Sequence, residues 1–171
     1  MFLDRDGVIN RRIVGGYATR WEEFELLPGV REAVARFTGI FSRIIVVSNQ
    51  QGVGKGLMKA SDVETIHREM VLELEKHGGR IDAVFFSPHL ASEHSILRKP
   101  GVGMALQARK RFPELRFRRS LMAGDSLSDM MFGKRAGMTT VLINPDPSLA
   151  RDYPRLIDYC YPDLLSLANQ L

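Results

Sequence analysis

Two aspartates, Asp4 and Asp6, stand one residue apart directly after the apolar start of the chain, in the stretch MFLDRDG. A third aspartate, Asp125, ends another apolar stretch, SLMAGDS. Like charges in a partly desolvated site repel one another, so these three acids need a cation between them if the fold brings them together. Mg²⁺ takes one or two carboxylates together with waters and a phosphate oxygen. The acids therefore predict a site for Mg²⁺ and a phosphate group.

Ser48 and Lys99 supply what the phosphate group needs beside these acids. A hydroxyl donates a hydrogen bond to a phosphate oxygen, and an ammonium group adds a compact positive charge. A carboxylate attacks phosphorus only once the negative charge of the phosphate is neutralised, which the cation and Lys99 would do. The five residues together predict phosphoryl transfer to a carboxylate.

Five apolar runs of β-strand composition alternate with amphipathic stretches of helical spacing along the chain. The runs are MFLD, RIIVVSN, DAVFFSP, SLMAGDS and TTVLIN. Strands that are apolar throughout and alternate with helices predict a parallel sheet covered on both faces. We therefore expect an α/β fold, a Rossmann-like, doubly wound parallel sheet of about five strands. Residues 1–171 are predicted to form a single domain without a large cap domain.

The predicted helices have recognisable ends. The longest begins at Ser61, with Glu64 as the partner in a capping box, and stops at Gly78. The helix before it is predicted to end at Gly39. His67 and His77 lie on the longest helix and are interpreted as surface or packing residues.

Ligands of such sheets gather at the carboxyl ends of the strands, and the polar residues of this chain stand there. Asp4 and Asp6 end the first predicted strand, and Ser48 ends the second. Lys99 lies in the loop after the third strand, and Asp125 ends the fourth. Four strand ends are thus predicted to deliver acids, a hydroxyl and a cation to one edge of the sheet.

The composition of the chain excludes several kinds of site and partner. The single cysteine, Cys160, excludes an internal disulfide and a cysteine-rich metal site, and it is typical of the reducing cytoplasm. No apolar run is long enough to cross a bilayer, so no membrane partner is expected. The net charge of +4 suits anionic ligands, and the basic stretch 109–119 is interpreted as a solvated helix face and loop rather than a nucleic-acid site.

Four stretches resemble the haloacid dehalogenase (HAD) superfamily of phosphatases, in order and over nearly the whole chain. They are LDRDGVIN, VVSNQQGVGKG, RKPGVGM and AGDSLSDM, the last followed by AGM. Within the superfamily they look most like the capless branch of heptose-1,7-bisphosphate phosphatases and histidinol-phosphatase domains. The family's sheet order places the first strand centrally, between strands two and four.

The resemblance implies a role for each motif residue. Asp4 would be the nucleophile that becomes an aspartyl-phosphate, and Asp6 the general acid and then the base for water. Mg²⁺ would be held by Asp4, the backbone carbonyl of Asp6 and Asp125, with Asp129 in support. Phosphate and substrate would be bound by Ser48, Asn49, Gln50, Arg98, Lys99, Gly16 and Tyr17, the last two within a Gly15–Gly16–Tyr17 loop.

The chain departs from the family pattern in two places. Heptose bisphosphate phosphatases commonly carry a Cys/His zinc loop before the RKP motif, where this chain has His89 and His94 but no cysteine. Two histidines make a poor structural zinc site, so no zinc is expected. The loop from Asn10 to Tyr17 is also about two residues longer than the family pattern, which affects the expected sugar contacts.

Individual motifs have structural interpretations as well. Asp129 could cap the helix that follows Asp125 or orient Lys99, and Ser48 with Asn49 could be turn residues. Lys55 is interpreted as a loop residue, because its GVGKG context lacks the glycine and hydroxyl of a phosphate-binding loop.

The resemblance predicts a Mg²⁺-dependent phosphomonoesterase that acts on a sugar phosphate such as D-glycero-D-manno-heptose 1,7-bisphosphate. Histidinol phosphate and a 3′-phosphate on nucleic acid are the alternative substrates. A non-enzymatic receiver domain is a remote alternative, because the third predicted strand, DAVFFSP, has no aspartate at its carboxyl end to be phosphorylated.

Overall fold

The computed structural model of the protein describes residues 1–171. Six strands form one parallel sheet, in the order β3-β2-β1-β4-β5-β6. The strands are β1 Phe2–Leu3, β2 Ile45–Asn49, β3 Ala83–Ser87, β4 Leu121–Gly124, β5 Thr139–Ile143 and β6 Tyr159–Tyr161. β1 lies between β2 and β4, and Phe2 pairs with Ile45 on one side and with Met122 on the other. The predicted parallel sheet and the central place of its first strand are confirmed.

The sequence predicted about five strands, and the structure adds a sixth, β6. β6 has only three residues, YCY, and Tyr159 is exposed. It pairs with β5 at the edge of the sheet, where Val141 is opposite Tyr159. β6 is held by its hydrogen bonds to β5 and has no apolar run of its own. Its composition therefore did not predict a strand.

Seven α-helices connect the strands. They are α1 Val30–Ile40, α2 Gln51–Gly54, α3 Ala60–Glu75, α4 Gly103–Arg111, α5 Leu127–Ala136, α6 Ser148–Asp152 and α7 Leu164–Ala168. The segment between β1 and α1 is mostly irregular and contains a single 3₁₀ turn at Trp21–Glu23. No large cap is inserted there, as predicted. No helix has the length and apolar character needed to cross a membrane.

Three predicted helix ends were wrong, by one to three residues. α1 continues through Ile40 rather than ending at Gly39. The cap of α3 is two residues earlier than expected, because Asp62 Oδ2 accepts the backbone N–H of Lys59 at 2.8 Å. Ser61 therefore lies inside the helix. α3 ends at Glu75, and Gly78, at φ +79°, belongs to the turn that follows.

The two faces of the sheet bury separate apolar clusters. Leu3 and Val46 belong to the larger cluster, which α1, α3 and α7 cover. Phe2 and Ile45 belong to the smaller one, which α4 and α5 cover. Successive residues of a strand point to opposite faces, so the two residues of β1 anchor both clusters. This packing fixes the end of β1, and with it Asp4, at the centre of the sheet.

Candidate active site

A cleft of about 470 Å³ opens at the carboxyl ends of the central strands. Most of the predicted site residues line it: Asp4, Asp6, Ser48, Asn49, Arg98, Lys99, Gly16 and Tyr17. Gln50, Asp125 and Asp129 lie behind this lining and reach it through hydrogen bonds and ion pairs, described below. Because three strands and the loop after β3 contribute, the cleft joins residues that are up to 124 positions apart in the chain.

Asp4 and Lys99 form an ion pair on the floor of the cleft. The Asp4 backbone N–H donates to the Ala123 carbonyl at 2.9 Å, which extends the ladder between β1 and β4 by one residue. Lys99 Nζ lies 2.6 Å from Asp4 Oδ1, and both side chains are buried. The ammonium group also donates to the Val47 carbonyl at 2.8 Å. Lys99 therefore fixes Asp4 from the side of β2.

Asp129 makes both of the structural contacts considered for it, the helix cap and the contact with Lys99. Its Oδ2 accepts the backbone N–H and the hydroxyl of Ser126, at 3.1 and 2.6 Å, and so caps α5. Its Oδ1 lies 2.6 Å from Lys99 Nζ. Gly124 allows this approach, since a Cβ at that position would lie 2.2 Å from the Asp129 Cβ. Burial alone would lower the pKa of Lys99, but the charges of Asp129 and Asp4 outweigh it and raise the pKa.

Three acids crowd together beside this lysine. Carboxylate oxygens of Asp4, Asp125 and Asp129 lie within 4.8 Å of one another. Burial raises the pKa of Asp4 to about 7, with the charge of Asp129 adding to the effect and Lys99 opposing it. Burial also raises the pKa of Asp125 to about 6, against the opposing charge of Arg12. The cluster thus holds more negative charge than Lys99 alone compensates.

Arg12 supplies a further cation from the loop after β1. Its Nη2 donates to Asp125 Oδ1 at 2.8 Å and to the backbone carbonyl of Asp6 at 3.3 Å. These are two of the oxygens that the family resemblance assigns to Mg²⁺. One nitrogen of this half-exposed guanidinium therefore contacts both oxygens, so the two oxygens face a common point. Gly7 leaves room for Asp125, because a Cβ there would lie 2.0 Å from Asp125 Oδ2.

Asp6 is surrounded by hydrogen-bond donors. Arg5 Nη2 lies 2.9 Å from Oδ1 and 3.0 Å from Oδ2. Asn10 Nδ2 donates to Oδ1 at 3.0 Å, and Gln50 Nε2 donates to Oδ2 at 2.7 Å. Burial alone would raise the pKa of Asp6, but the charge of Arg5 and these hydrogen bonds lower it. In this arrangement Asp6 is a carboxylate.

Asn49 and Gln50 contact other site residues rather than pointing freely into the cleft. Asn49 Nδ2 donates to the Lys99 carbonyl at 3.1 Å, and the Lys99 N–H donates to Asn49 Oδ1 at 2.9 Å. Gln50 Nε2 also donates to Ser48 Oγ at 2.7 Å. The two amides thus align Lys99, Ser48 and Asp6, and direct contact of either with substrate stays a prediction.

The rim of the cleft carries the remaining candidates. Tyr17 lies opposite Lys55, whose Nζ is 5.5 Å from the centre of the ring. Gly52 lies beneath Tyr17, since a Cβ there would be 3.0 Å from the ring. Arg98 Nη1 donates to the His89 carbonyl at 3.3 Å, which leaves the rest of its guanidinium at the cleft. The rim is therefore basic and aromatic, whereas the floor is acidic.

Arg5, Asn10, Arg12 and His67 belong to the site or to its supporting contacts and were not predicted. Arg5 had a signal, because it stands between the two aspartates of LDRDG. Arg12 and His67 had none, since their contacts join positions far apart in the chain: 113 residues between Arg12 and Asp125, and 62 between Arg5 and His67.

Comparison with known proteins gives consistent results for family and fold. A family model described as HAD-hydrolase-like matches residues 96–167. The D-glycero-alpha-D-manno-heptose-1,7-bisphosphate 7-phosphatase of Mycobacterium bovis is 45% identical over 130 residues, which cover 76% of this chain and 68% of that protein. The D-glycero-beta-D-manno-heptose-1,7-bisphosphate 7-phosphatase of Rhodopseudomonas palustris is 38% identical over 147 residues, covering 80% and 78%.

A solved structure extends the comparison to the whole chain. The D,D-heptose 1,7-bisphosphate phosphatase from B. bronchiseptica, crystallised with magnesium and phosphate, matches with a TM-score of 0.89 at 30% identity and covers 99% of this chain and 96% of that chain. Similarity of sequence and similarity of fold therefore indicate the same family. The chain belongs to the haloacid dehalogenase superfamily of hydrolases, and it is a phosphatase.

Proposed function

We propose that the protein removes the phosphate at carbon 7 of a heptose 1,7-bisphosphate, through an aspartyl-phosphate on Asp4. The observation that carries this proposal is the buried Asp4–Lys99 pair, 2.6 Å apart on the floor of the cleft. The curated relatives named for this activity support the choice of substrate. They are named for different anomers of the sugar, so the proposal covers both.

Mg²⁺ is the proposed cofactor, held by Asp4, the Asp6 carbonyl and Asp125. The crowded carboxylates and the guanidinium that bridges Asp125 and the Asp6 carbonyl support a cation at this position. When bound, the ion supplies positive charge that neutralises the phosphate. Asp129 is kept out of the metal's immediate ligands in this proposal, because its two oxygens already serve Lys99 and the cap of α5.

In the proposed reaction, an oxygen of Asp4 attacks phosphorus and displaces the sugar oxygen. Ser48 and Lys99 contact the phosphate oxygens, and Asp6 delivers a proton to the leaving sugar oxygen. Water then attacks the aspartyl-phosphate, Asp6 takes its proton, and inorganic phosphate leaves. Since the structure holds Asp6 as a carboxylate, Asp6 must be protonated before the first step and is already in the form needed for the second.

Arg98, Gly16 and Tyr17 are the proposed contacts to the rest of the sugar, because they form the rim above the phosphate site.

We further propose that residues 1–171 act as a single HAD-like hydrolase domain. Its place in the cytoplasm is proposed from the use of a single cysteine, Cys160. The proposed partner is a small phosphorylated sugar rather than nucleic acid or a membrane.

Phosphate release from a panel of substrates with Mg²⁺ tests this proposal. The panel contains both anomers of heptose 1,7-bisphosphate, histidinol phosphate, hexose phosphates and a 3′-phosphorylated oligonucleotide. We expect the highest kcat/KM with one of the heptose bisphosphates. A higher value with histidinol phosphate or with the oligonucleotide would replace the proposed substrate by that one.

Mg²⁺ should raise the melting temperature more at about pH 8 than at about pH 5. The pKa values of Asp4 and Asp125 are raised to about 7 and about 6, so the metal-free fold binds protons that the unfolded chain releases. The stability that these two carboxyl groups contribute therefore falls as the pH rises from about 4 through about 7. Mg²⁺ relieves this repulsion at high pH and must displace protons at low pH. Differential scanning fluorimetry with and without Mg²⁺ measures both shifts, and a larger shift at pH 5 contradicts the assigned ligands.

Gly7→Ala should weaken Mg²⁺ binding by at least about 10-fold, as for lost support of a metal ligand. The added Cβ would overlap Asp125 Oδ2, and φ +89° strains a residue with a side chain. Gly137→Ala is the matched control, because φ is +81° there and nothing lies within 4 Å of the added Cβ. Isothermal titration calorimetry measures both variants. Equal Mg²⁺ affinity for the two would contradict the role of Gly7.

The purified protein should contain no stoichiometric zinc. His89 Nδ1 lies 3.1 Å from Ser87 Oγ, and His94 is exposed at φ +49° on the loop after β3. Neither has a cysteine beside it in the sequence, and a structural zinc site normally has four ligands. Elemental analysis after metal-free purification checks this expectation. One zinc ion per chain, lost on changing His89 and His94 to Ala, would overturn it.

A further inference from the structure

Arg5 is a buried cation that the proposed reaction does not yet use. It stands between the two site aspartates and is only 1% exposed. Its guanidinium carbon lies 5.6 Å from the centre of the Phe24 ring, and its two terminal nitrogens point to Asp6 and to His67. Because a buried charge is costly unless it is paired and hydrogen-bonded, these contacts account for its position.

The contacts of Asp6 show what Arg5 does for it. A single nitrogen, Arg5 Nη2, lies between both carboxylate oxygens at 2.9 and 3.0 Å. Asn10 and Gln50 add one N–H donor to each oxygen. Every neighbour is a donor, so the pocket fits a carboxylate and leaves no acceptor for a carboxylic acid proton. Arg5 thereby fixes the rotation of the Asp6 side chain.

His67 holds the other end of the guanidinium. Its Nε2 lies 3.1 Å from Arg5 Nη1, and its ring packs edge-on against Phe86, with centroids 5.7 Å apart. Arginine has no acceptor, so Nε2 must accept the hydrogen bond and the ring must be neutral. Burial, together with the charge of Arg5, lowers the pKa of His67 to about 3, which keeps the ring neutral at working pH.

We propose that Arg5 and His67 are positioning residues for the second half of the reaction: His67 holds Arg5, and Arg5 holds the Asp6 carboxylate where it accepts a proton from water. This inference rests on the proposed function. In the step concerned, the water oxygen forms a bond to phosphorus while the phosphorus–oxygen bond to Asp4 breaks. Asp4 leaves as a carboxylate, the proton of the water passes to Asp6, and inorganic phosphate is the product.

The inference predicts slower loss of phosphate from Asp4 when His67 cannot accept a hydrogen bond. The test uses the Mg²⁺-loaded enzyme with saturating p-nitrophenyl phosphate. Turnover is measured, and the fraction of chains carrying phosphate on Asp4 is determined by acid quenching and mass spectrometry. Turnover divided by this fraction is the rate constant for dephosphorylation. It is unaffected by misfolded enzyme, because inactive chains lower both quantities equally.

His67→Phe removes the acceptor and should lower this rate constant by about 10-fold, a size typical of losing an outer partner that orients a reactive group. Arg5→Lys should also lower the dephosphorylation rate constant, because a single ammonium group cannot replace the two guanidinium nitrogens that contact Asp6 and His67. His67→Gln restores an acceptor oxygen and should recover most of the rate constant.

Phe86→Leu is the matched control, since it disturbs the packing of the same imidazole ring without removing a hydrogen bond. It should lower the melting temperature and leave the dephosphorylation rate constant unchanged. An unchanged rate constant in His67→Phe, or an equal loss in Phe86→Leu, overturns the inference. Failure of the proposed function is a different result, namely no phosphate on Asp4 in the wild-type enzyme.

Discussion

Asp4→Asn abolishes turnover and leaves the fold intact. An amide is a far poorer nucleophile and metal ligand than a carboxylate, so the first chemical step loses both of the functions assigned to Asp4. We expect a loss of at least about 10³-fold, which is about 4 kcal/mol in barrier. The fold tolerates the change, because the amide oxygen still accepts from Lys99 and one of the three crowded charges is removed.

Phosphate release and circular dichroism check this prediction together. Asp163→Asn is the matched control, because Asp163 caps α7 by accepting the Ser166 N–H at 2.7 Å and asparagine caps equally well. The control should keep wild-type activity. If folded Asp4→Asn protein kept more than about a tenth of the wild-type rate, a barrier change under roughly 1.4 kcal/mol, Asp4 would not be the nucleophile.

Asp6→Asn should depress hydrolysis of a sugar phosphate much more than that of p-nitrophenyl phosphate. A sugar alkoxide leaves badly and needs a proton in the transition state, whereas p-nitrophenolate leaves without one. The losses for the two substrates should differ by a factor on the order of 10², the lower end of what a positioned acid contributes. This expectation holds when phosphorylation of Asp4 limits the rate. Both substrates should lose some rate, because breakdown of the aspartyl-phosphate also needs a base.

The comparison uses kcat/KM, which reports the steps up to the first irreversible one. Asn10→Ala is a useful companion, since it removes one of the donors to Asp6 Oδ1 and keeps the carboxylate itself. Asn10→Ala should lower kcat/KM for both substrates far less than Asp6→Asn does. Equal losses for the two substrates in Asp6→Asn would show that Asp6 is not the acid for the leaving group, and Asp6 would then be better described as a metal-positioning residue.

The residues at strand ends could be placed from the sequence. Asp4, Ser48 and Asp125 each follow an apolar run, and the carboxyl ends of parallel strands meet at one edge of the sheet. Lys99 lies in a loop, yet it reaches the same edge because its ammonium group is anchored on the Val47 carbonyl of β2. The apolar runs that predict the strands, together with the topology of a parallel sheet, were sufficient to place these residues at one edge of the sheet.

Contacts between loops and helices could not be placed in this way. The roles of Arg12 and His67 depend on tertiary contacts, to Asp125 and to Arg5, that no periodicity or spacing encodes. The amide of Asn49 pairs with the Lys99 backbone, a contact that the sequence does not reveal, and its expected contact with substrate stays a prediction. β6 depends likewise on its pairing with β5 rather than on its own residues. Local sequence propensity predicts helices and strands, whereas these contacts depend on how the helices, strands and loops pack against one another.

Phosphorylation of Asp4 is the central claim, and direct mapping of the intermediate tests it most directly. The Mg²⁺-loaded wild-type enzyme is mixed with excess substrate, quenched in acid within the first turnovers, digested and analysed by mass spectrometry. We predict phosphate on the peptide that contains Asp4, at a level that rises with substrate and disappears after substrate is exhausted. Phosphate on another residue, or turnover without any phosphorylated peptide when the quench captures a synthetic acyl phosphate standard, would contradict the account.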